Sequence, residues 1–220
     1  MTQRYLFHTV QTLPRAWRAV ADALDAIGED VLGPAGGAVY GIWRSQIGRP
    51  RDELTVITAW SSDGESHAAM ETAGRWFAGD PRVRAHESRE MTPTLRPTDG
   101  TSPRRQGNYA FRFFSTPEAS FDEFLSLCEG AWPGFEAAYD SQVIGLWQFE
   151  QGSAKGAIDT LLLTRRPDLA MWERSKLPEG EAEREVRAKL SRRYDLCDAT
   201  FVVTTTLITA DDRQDNARWA

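Results

Sequence analysis

Three histidines and two cysteines are the residues best suited to acid–base, nucleophilic or metal chemistry in this 220-residue chain. His8 stands in the stretch Tyr5-Leu6-Phe7-His8-Thr9-Val10, on the opposite side of a strand from Tyr5 and Phe7. Bordering a cavity there, it would titrate near neutral pH and serve as a general acid or base; the alternative is a hydrogen-bonded sheet histidine. His67 follows Asp63, Glu65 and Ser66 at the start of a helical stretch, where helix capping is the simpler role. His86 lies in a polar run, Arg84 to Arg89, and is expected at the surface. Cys128 falls on the apolar face of a helix and reads as a buried thiol. With Cys197 it makes neither a metal-ligand spacing nor a disulfide framework. Gly33-Pro34-Ala35-Gly36-Gly37 lacks the Lys-Ser/Thr of a phosphate-binding loop, and no G-x-G-x-x-G or G-x-S-x-G occurs. The expectation is chemistry without a metal or nucleotide cofactor.

Aromatic and arginine residues give the pocket signal. Gly41-Ile42-Trp43 recurs as Gly145-Leu146-Trp147, a small residue beside a large one on one strand face. Because both copies persist, core packing is their simpler role. Tyr40, Arg44 and His8 differ from their counterparts Ile144, Gln148 and Arg112, the asymmetry expected where one half keeps a site and the other has lost it. The expected site therefore has His8 as acid or base, with Tyr40, Arg44, Trp60, Trp43 and Arg112 binding the substrate. Arginine suits a carboxylate or an enolate, and an apolar cleft with a few polar groups suits a small hydrophobic molecule.

The elements that position these residues repeat. At a shift of 104 residues Tyr5 meets Tyr109, Phe7 meets Phe111, Val39 meets Val143, Gly41 meets Gly145 and Trp43 meets Trp147. Each half opens with an aromatic-rich strand, 5–10 and 109–114. An amphipathic helix follows, carried by Trp17, Val20, Ala21, Leu24 and Ile27, and then by Phe121, Phe124, Leu125 and Cys128. Thr116 or Ser120 is a candidate cap for the second of these helices, with Pro117 early in it. A hairpin pairs 38–44 with 54–60, and at the same shift 142–148 with 158–164. A second helix, 65–77 or 167–176, precedes a last strand, 91–95 or 203–207, the latter aligned at a shift of 112. The extra residues extend a charged helix over 179–193, read as a solvated face. The order β-α-β-β-α-β is the ferredoxin-like unit, whose bare sheet face must be covered. The fold class is thus α+β, two fused ferredoxin-like modules packed sheet to sheet: 1–99, a linker at 100–107 rich in Pro and Gly, and 108–220.

The motifs Tyr109-Ala110-Phe111-Arg112-Phe113-Phe114, Val143-Ile144-Gly145-Leu146-Trp147-Gln148-Phe149-Glu150 and Leu163-Thr164-Arg165-Arg166-Pro167-Asp168-Leu169-Ala170-Met171-Trp172-Glu173-Arg174 resemble the NIPSNAP family of the dimeric α+β barrel superfamily. Tyr5-Leu6-Phe7-His8 and the segment from Tyr40 to Gly48 echo them in the first half. The resemblance implies the barrel-like core and brings no catalytic signature. It implies a superfamily that includes cofactor-independent monooxygenases, cyclases, decarboxylases and haem enzymes. The resulting expectation is a small-molecule enzyme carrying out oxygenation, cyclisation or isomerisation. The alternatives are a non-catalytic ligand-binding protein and a haem protein with His67 as the nearest axial candidate.

Composition sets the outer bounds. Hydrophobic residues at 41% and charged residues at 26% suit a globular domain rather than a disordered chain. A net charge of −6 argues against nucleic acid and anionic membrane as partners. The N-terminal segment enters a strand directly and no run of 18 apolar residues occurs, so a cytoplasmic protein, monomer or homodimer, is expected.

Overall fold

The computed structural model describes residues 4–61 and 66–213, without the side chains of 27, 29 and 66–69. The elements run β1 (Arg4–Thr12), α1 (Trp17–Leu32), β2 (Gly37–Ile47), β3 (Glu53–Trp60), α2 (Ser66–Gly79) and β4 (Val83–Arg96). They continue as β5 (Asn108–Pro117), α3 (Phe121–Tyr139), β6 (Gln142–Phe149), β7 (Ala157–Arg166), α4 (Leu169–Arg174), α5 (Glu181–Asp195) and β8 (Ala199–Leu207). This is a mixed α+β fold with an eight-stranded antiparallel sheet, in the order β1-β3-β2-β8-β5-β7-β6-β4.

Two compact units divide the chain differently from the sequence repeat. One comprises Met1–Ser88, Gly100–Gln106 and Thr205–Ala220; the other comprises Arg89–Asp99 and Gly107–Thr204. The long strands β4 and β8 each begin in one unit and end in the other. In the first unit the Ile208 amide donates to the Ile42 carbonyl at 2.7 Å; in the second, the Glu150 amide donates to the Glu90 carbonyl at 3.0 Å.

Alternation along each strand decides what reaches the helices. In the first unit Leu6, Val10, Ile42, Leu54, Val56 and Trp60 pack on Val20 and Leu24 of α1 and Phe77 of α2. In the second, Phe114, Leu146 and Leu162 pack on Phe124, Cys128 and Trp132 of α3. Each such buried side chain contributes roughly 1.5–3 kcal/mol. Gly134 lets α5 approach α3, since a Cβ there would lie 2.6 Å from a Val186 methyl.

Three local expectations change. Residues 48–52 join β2 to β3, whereas 150–156 join β6 to β7, so the second hairpin connection is two residues longer. The shift of 104 therefore stops at that turn. His8 faces Val56, and Arg112 faces Leu162; Leu6 faces Thr58, and Ala110 faces Thr164. Thr58 thus corresponds to Thr164, and Trp60 to Arg166. Pro117 ends β5 rather than starting a helix, because Thr116 and Pro117 stay in register with Ile158 and Ala157; Ser120 precedes α3 without a capping hydrogen bond. The last strand of the first half begins at Val83 and absorbs the polar run around His86, whose side chain is exposed: backbone pairing tolerates polar side chains wherever one face meets solvent.

Candidate functional site

The residues expected to form a site in the first half do not meet around a cavity among the described residues. His8 is fully buried, with Nδ1 2.7 Å from the Ser88 hydroxyl and Nε2 3.0 Å from the Thr58 hydroxyl. The Trp60 indole N–H donates to the same Thr58 oxygen at 2.7 Å, so one hydroxyl serves both side chains. Phe77 packs on the imidazole at 5.1 Å between ring centres. Burial, followed by the charge of His86, lowers the His8 pKa to about 3, so the ring is neutral wherever the protein works near neutrality. The sequence pattern thus leads to the hydrogen-bonded sheet histidine, because Leu6, Trp60 and Phe77 fill the space that an acid–base role requires. Only about 10 Å³ remains free beside Thr58, Trp76 and Phe77.

The other expected residues are dispersed. Tyr40 packs edge-on against Tyr5 at 5.3 Å, on the face of β1 opposite His8. Arg44 lies with its guanidinium 4.0 Å over the Trp17 ring. Trp43 is fully buried on its own Gly41, where any Cβ would strike the indole; Trp147 and Gly145 repeat the arrangement. His67 falls outside the described side chains.

Arg112 leads elsewhere. It projects from β5 towards the helices of the second unit and lines a cavity of about 350 Å³. The sheet supplies Ala110, Arg112, Phe114, Leu162, Thr164 and Arg166; Trp132 and Phe135 come from α3, Trp172 from α4, and Arg187, Arg193 and Tyr194 from α5. Two features keep the space open. Ala110 stands where the first unit has Leu6, and two arginines stand where it has His8 and Trp60. Arg166 even copies the Trp60 contact, its Nη1 donating to the Thr164 hydroxyl at 3.1 Å.

The electrostatics of this cavity are one-sided. Arg166 lies 4.4 Å from the Trp172 ring centre and 5.0 Å from that of Phe135. Arg193 lies 4.8 Å from the Phe114 ring centre, with Nη1 3.5 Å from the Cys128 sulfur. Arg112 has the Trp172 ring at 6.0 Å and makes no hydrogen bond or ion pair among the described residues. Burial lowers its pKa to about 10, with repulsion from Arg193 and Arg187 adding to the effect. Burial and then Arg112 bring Arg166 to about 10 as well. Arg112 and Arg166 stay charged at neutral pH, yet no carboxylate pairs with either of them, or with Arg193, among the described residues. The Nε atoms of Arg166 and Arg193 and the indole nitrogen of Trp132 are buried donors without an acceptor. Uncompensated buried charge costs several kcal/mol per ion, about as much as burying two or three core side chains contributes.

The roof over this cavity is pinned. Asp168 caps α4 by accepting from the Met171 amide at 2.7 Å. Glu183 of α5 accepts from both terminal nitrogens of Arg174, from the Glu179 amide and from the Tyr139 hydroxyl, at 2.8–3.1 Å. Arg174 first, then the Glu179 amide, bring its carboxyl down to about 2. The charged helix read as a solvated face thus also presents Arg187, Leu190 and Arg193 to the cavity.

A haem held by histidine or cysteine does not fit this donor set. Among the described residues neither type lines the cavity, and the two lining side chains with other ligand atoms of that kind, Lys176 and Tyr194, are solvent-exposed. His8 has both nitrogens engaged in the other unit.

No family model matches the chain, and no curated protein matches it in sequence. Solved structures do match in fold. A candidate monooxygenase from Lactobacillus acidophilus NCFM aligns at a TM-score of 0.58 and 9% identity over 96% of this chain and 98% of that one. An anthrone oxidase-like protein aligns at 0.58 and 11%, over 98% and 97%. A chlorite dismutase variant from Candidatus Nitrospira defluvii aligns at 0.59 and 11%, over 93% and 90%. At these identities the likeness is one of fold, the mixed α+β fold with an eight-stranded antiparallel sheet described above. No helix among the described residues is long and apolar enough to cross a membrane.

Proposed function

We propose that this chain is a small-molecule oxidase-type enzyme acting on a hydrophobic aromatic metabolite held as its anion in the cavity of the second unit. The observation that carries the reading is Arg112, a half-buried guanidinium without a hydrogen bond or ion pair among the described residues, accompanied by Arg166 and Arg193 in an aromatic-walled space. The names of the fold relatives, a candidate monooxygenase and an anthrone oxidase-like protein, support a reaction of this class. A finer kinship with NIPSNAP-like modules rests on the quoted strand motifs alone.

Guanidinium groups close to an enol or phenol favour its ionised form, lowering the pKa by roughly 1 to 3 pH units. Such an anion needs only a weak base to form, which suits a wall without histidine or carboxylate. An electron-rich enolate or phenolate is the form that reduces dioxygen, and the same anion leads to isomerisation or cyclisation. The aromatic walls hold the ring system while the arginines hold the developing charge, without requiring a metal or nucleotide.

Oxygen uptake with anthrone and hydroxynaphthoates, alongside quenching of tryptophan fluorescence, tests this. Wild-type protein should consume oxygen with at least one of them, and Arg112→Met should lower the rate about a hundredfold. An Arg112→Met rate equal to wild type would overturn the assignment. Saturable quenching without oxygen uptake or product would instead support a non-catalytic ligand-binding protein, a reading favoured by the absence of any histidine or carboxylate among the cavity's lining residues.

A further inference from the structure

We propose that the ligand of this cavity is a dianion, with two acidic groups on one aromatic skeleton, an inference resting on the reading of the cavity as an aromatic-anion site. The cations form two stations sharing a centre. Arg166, against Trp172 and Phe135, marks one; Arg193, against Phe114, marks the other. Arg112 shares the Trp172 ring with Arg166, at 6.0 Å against 4.4 Å, and is repelled from the other side by Arg193 and Arg187 of α5. One monoanion shared with Arg112 would relieve one station and leave the other buried and unpaired.

The orphaned donors divide the same way. Arg166 Nε belongs to the first station and Arg193 Nε to the second, each buried without an acceptor. The rings of Phe135 and Trp172 flank one donor and the ring of Phe114 the other, so two acidic groups suit them better than one. Two acidic groups joined by a flat ring system place negative charge at each station and apolar surface between them. Arg112, Arg166 and Arg193, with Arg187 beside them in the cavity wall, then face two anionic groups. A neutral aromatic gains only the walls.

Binding of matched naphthalene probes at pH 7.5, read by tryptophan quenching, tests the proposal. The probes are 2-naphthol, 2-naphthoate and the 1,4-, 2,3- and 2,6-dicarboxylates of naphthalene. At least one dicarboxylate should bind tenfold or more tightly than 2-naphthoate, and 2-naphthoate more tightly than 2-naphthol. Added salt should weaken the dicarboxylate most. In Arg193→Met the ratio of dicarboxylate to monocarboxylate affinity should fall towards one. Equal affinity of the wild type for 2-naphthoate and every dicarboxylate would overturn the dianion while leaving the aromatic-anion site standing. Equal binding of 2-naphthol and 2-naphthoate, or no binding by any probe, would overturn both. The wild-type ratios decide the matter even if the variant folds poorly.

Discussion

At the residue scale, His8 and Arg112 occupy corresponding places and have opposite fates. Both were legible as polar residues at the same position of a first strand. What the sequence could not convey was the size of the neighbours. Leu6, Trp60 and Phe77 close around His8, whereas Ala110 leaves Arg112 open. The buried imidazole has a measurable signature. Its folded pKa of about 3 lies below the unfolded 6.5, so between those values the unfolded chain binds more protons and stability falls as pH falls. Above pH 6.5 this contribution is constant. Below it, His8 should cost up to about 1.4 kcal/mol per pH unit, until the folded pKa is approached. Urea unfolding from pH 7 to 4 should show that slope, and His8→Asn should flatten it. A variant with the wild-type slope would remove His8 as its source.

Elements made most of the fold readable. The aromatic first strands, the amphipathic helices after them and the Gly-x-Trp strands carry their periods openly, which is why the order β-α-β-β-α-β emerges from residues alone. The hairpin was misaligned because its connection, 150–156, has no fixed length signature, and two extra residues there shift every partner on β7. That slip hid the match of Trp60 with Arg166 and with it the strongest clue to an open second cavity. The charged helix 181–195 was misjudged for a different reason: arginine stems pack on apolar surface while their heads stay polar, so a mean over the helix reads as solvent-facing. If the first strand sets the depth of the cavity, Ala110→Leu should weaken binding of naphthoate probes at least tenfold while leaving the melting temperature unchanged or raised. Full affinity with a normal melting temperature would show that Ala110 does not border the bound ligand.

For the whole molecule, the division into units matters more than the repeat. The first unit includes Thr205 and the residues after it, and the second includes Arg89–Asp99, so each half of the sequence lacks a strand segment of the unit it mostly builds. Residues 1–99 made alone would leave β2 with a bare hydrogen-bonding edge, a template for aggregation. Each half expressed separately should therefore be insoluble or lack a cooperative melt, and the two produced together should recover one. A soluble, cooperatively melting 1–99 fragment would show that the unit does not need the C-terminal strand. The crowded guanidiniums also bear on how long the chain survives in a cell. Without a ligand they repel one another beneath helices that Asp168 and Glu183 pin in place. An anion that neutralises them favours the native state by mass action, by about 2.7 kcal/mol at a hundredfold excess over its Kd. Proteases act on the opened chain, so the protein's lifetime, and with it its abundance, would rise and fall with the supply of its own metabolite.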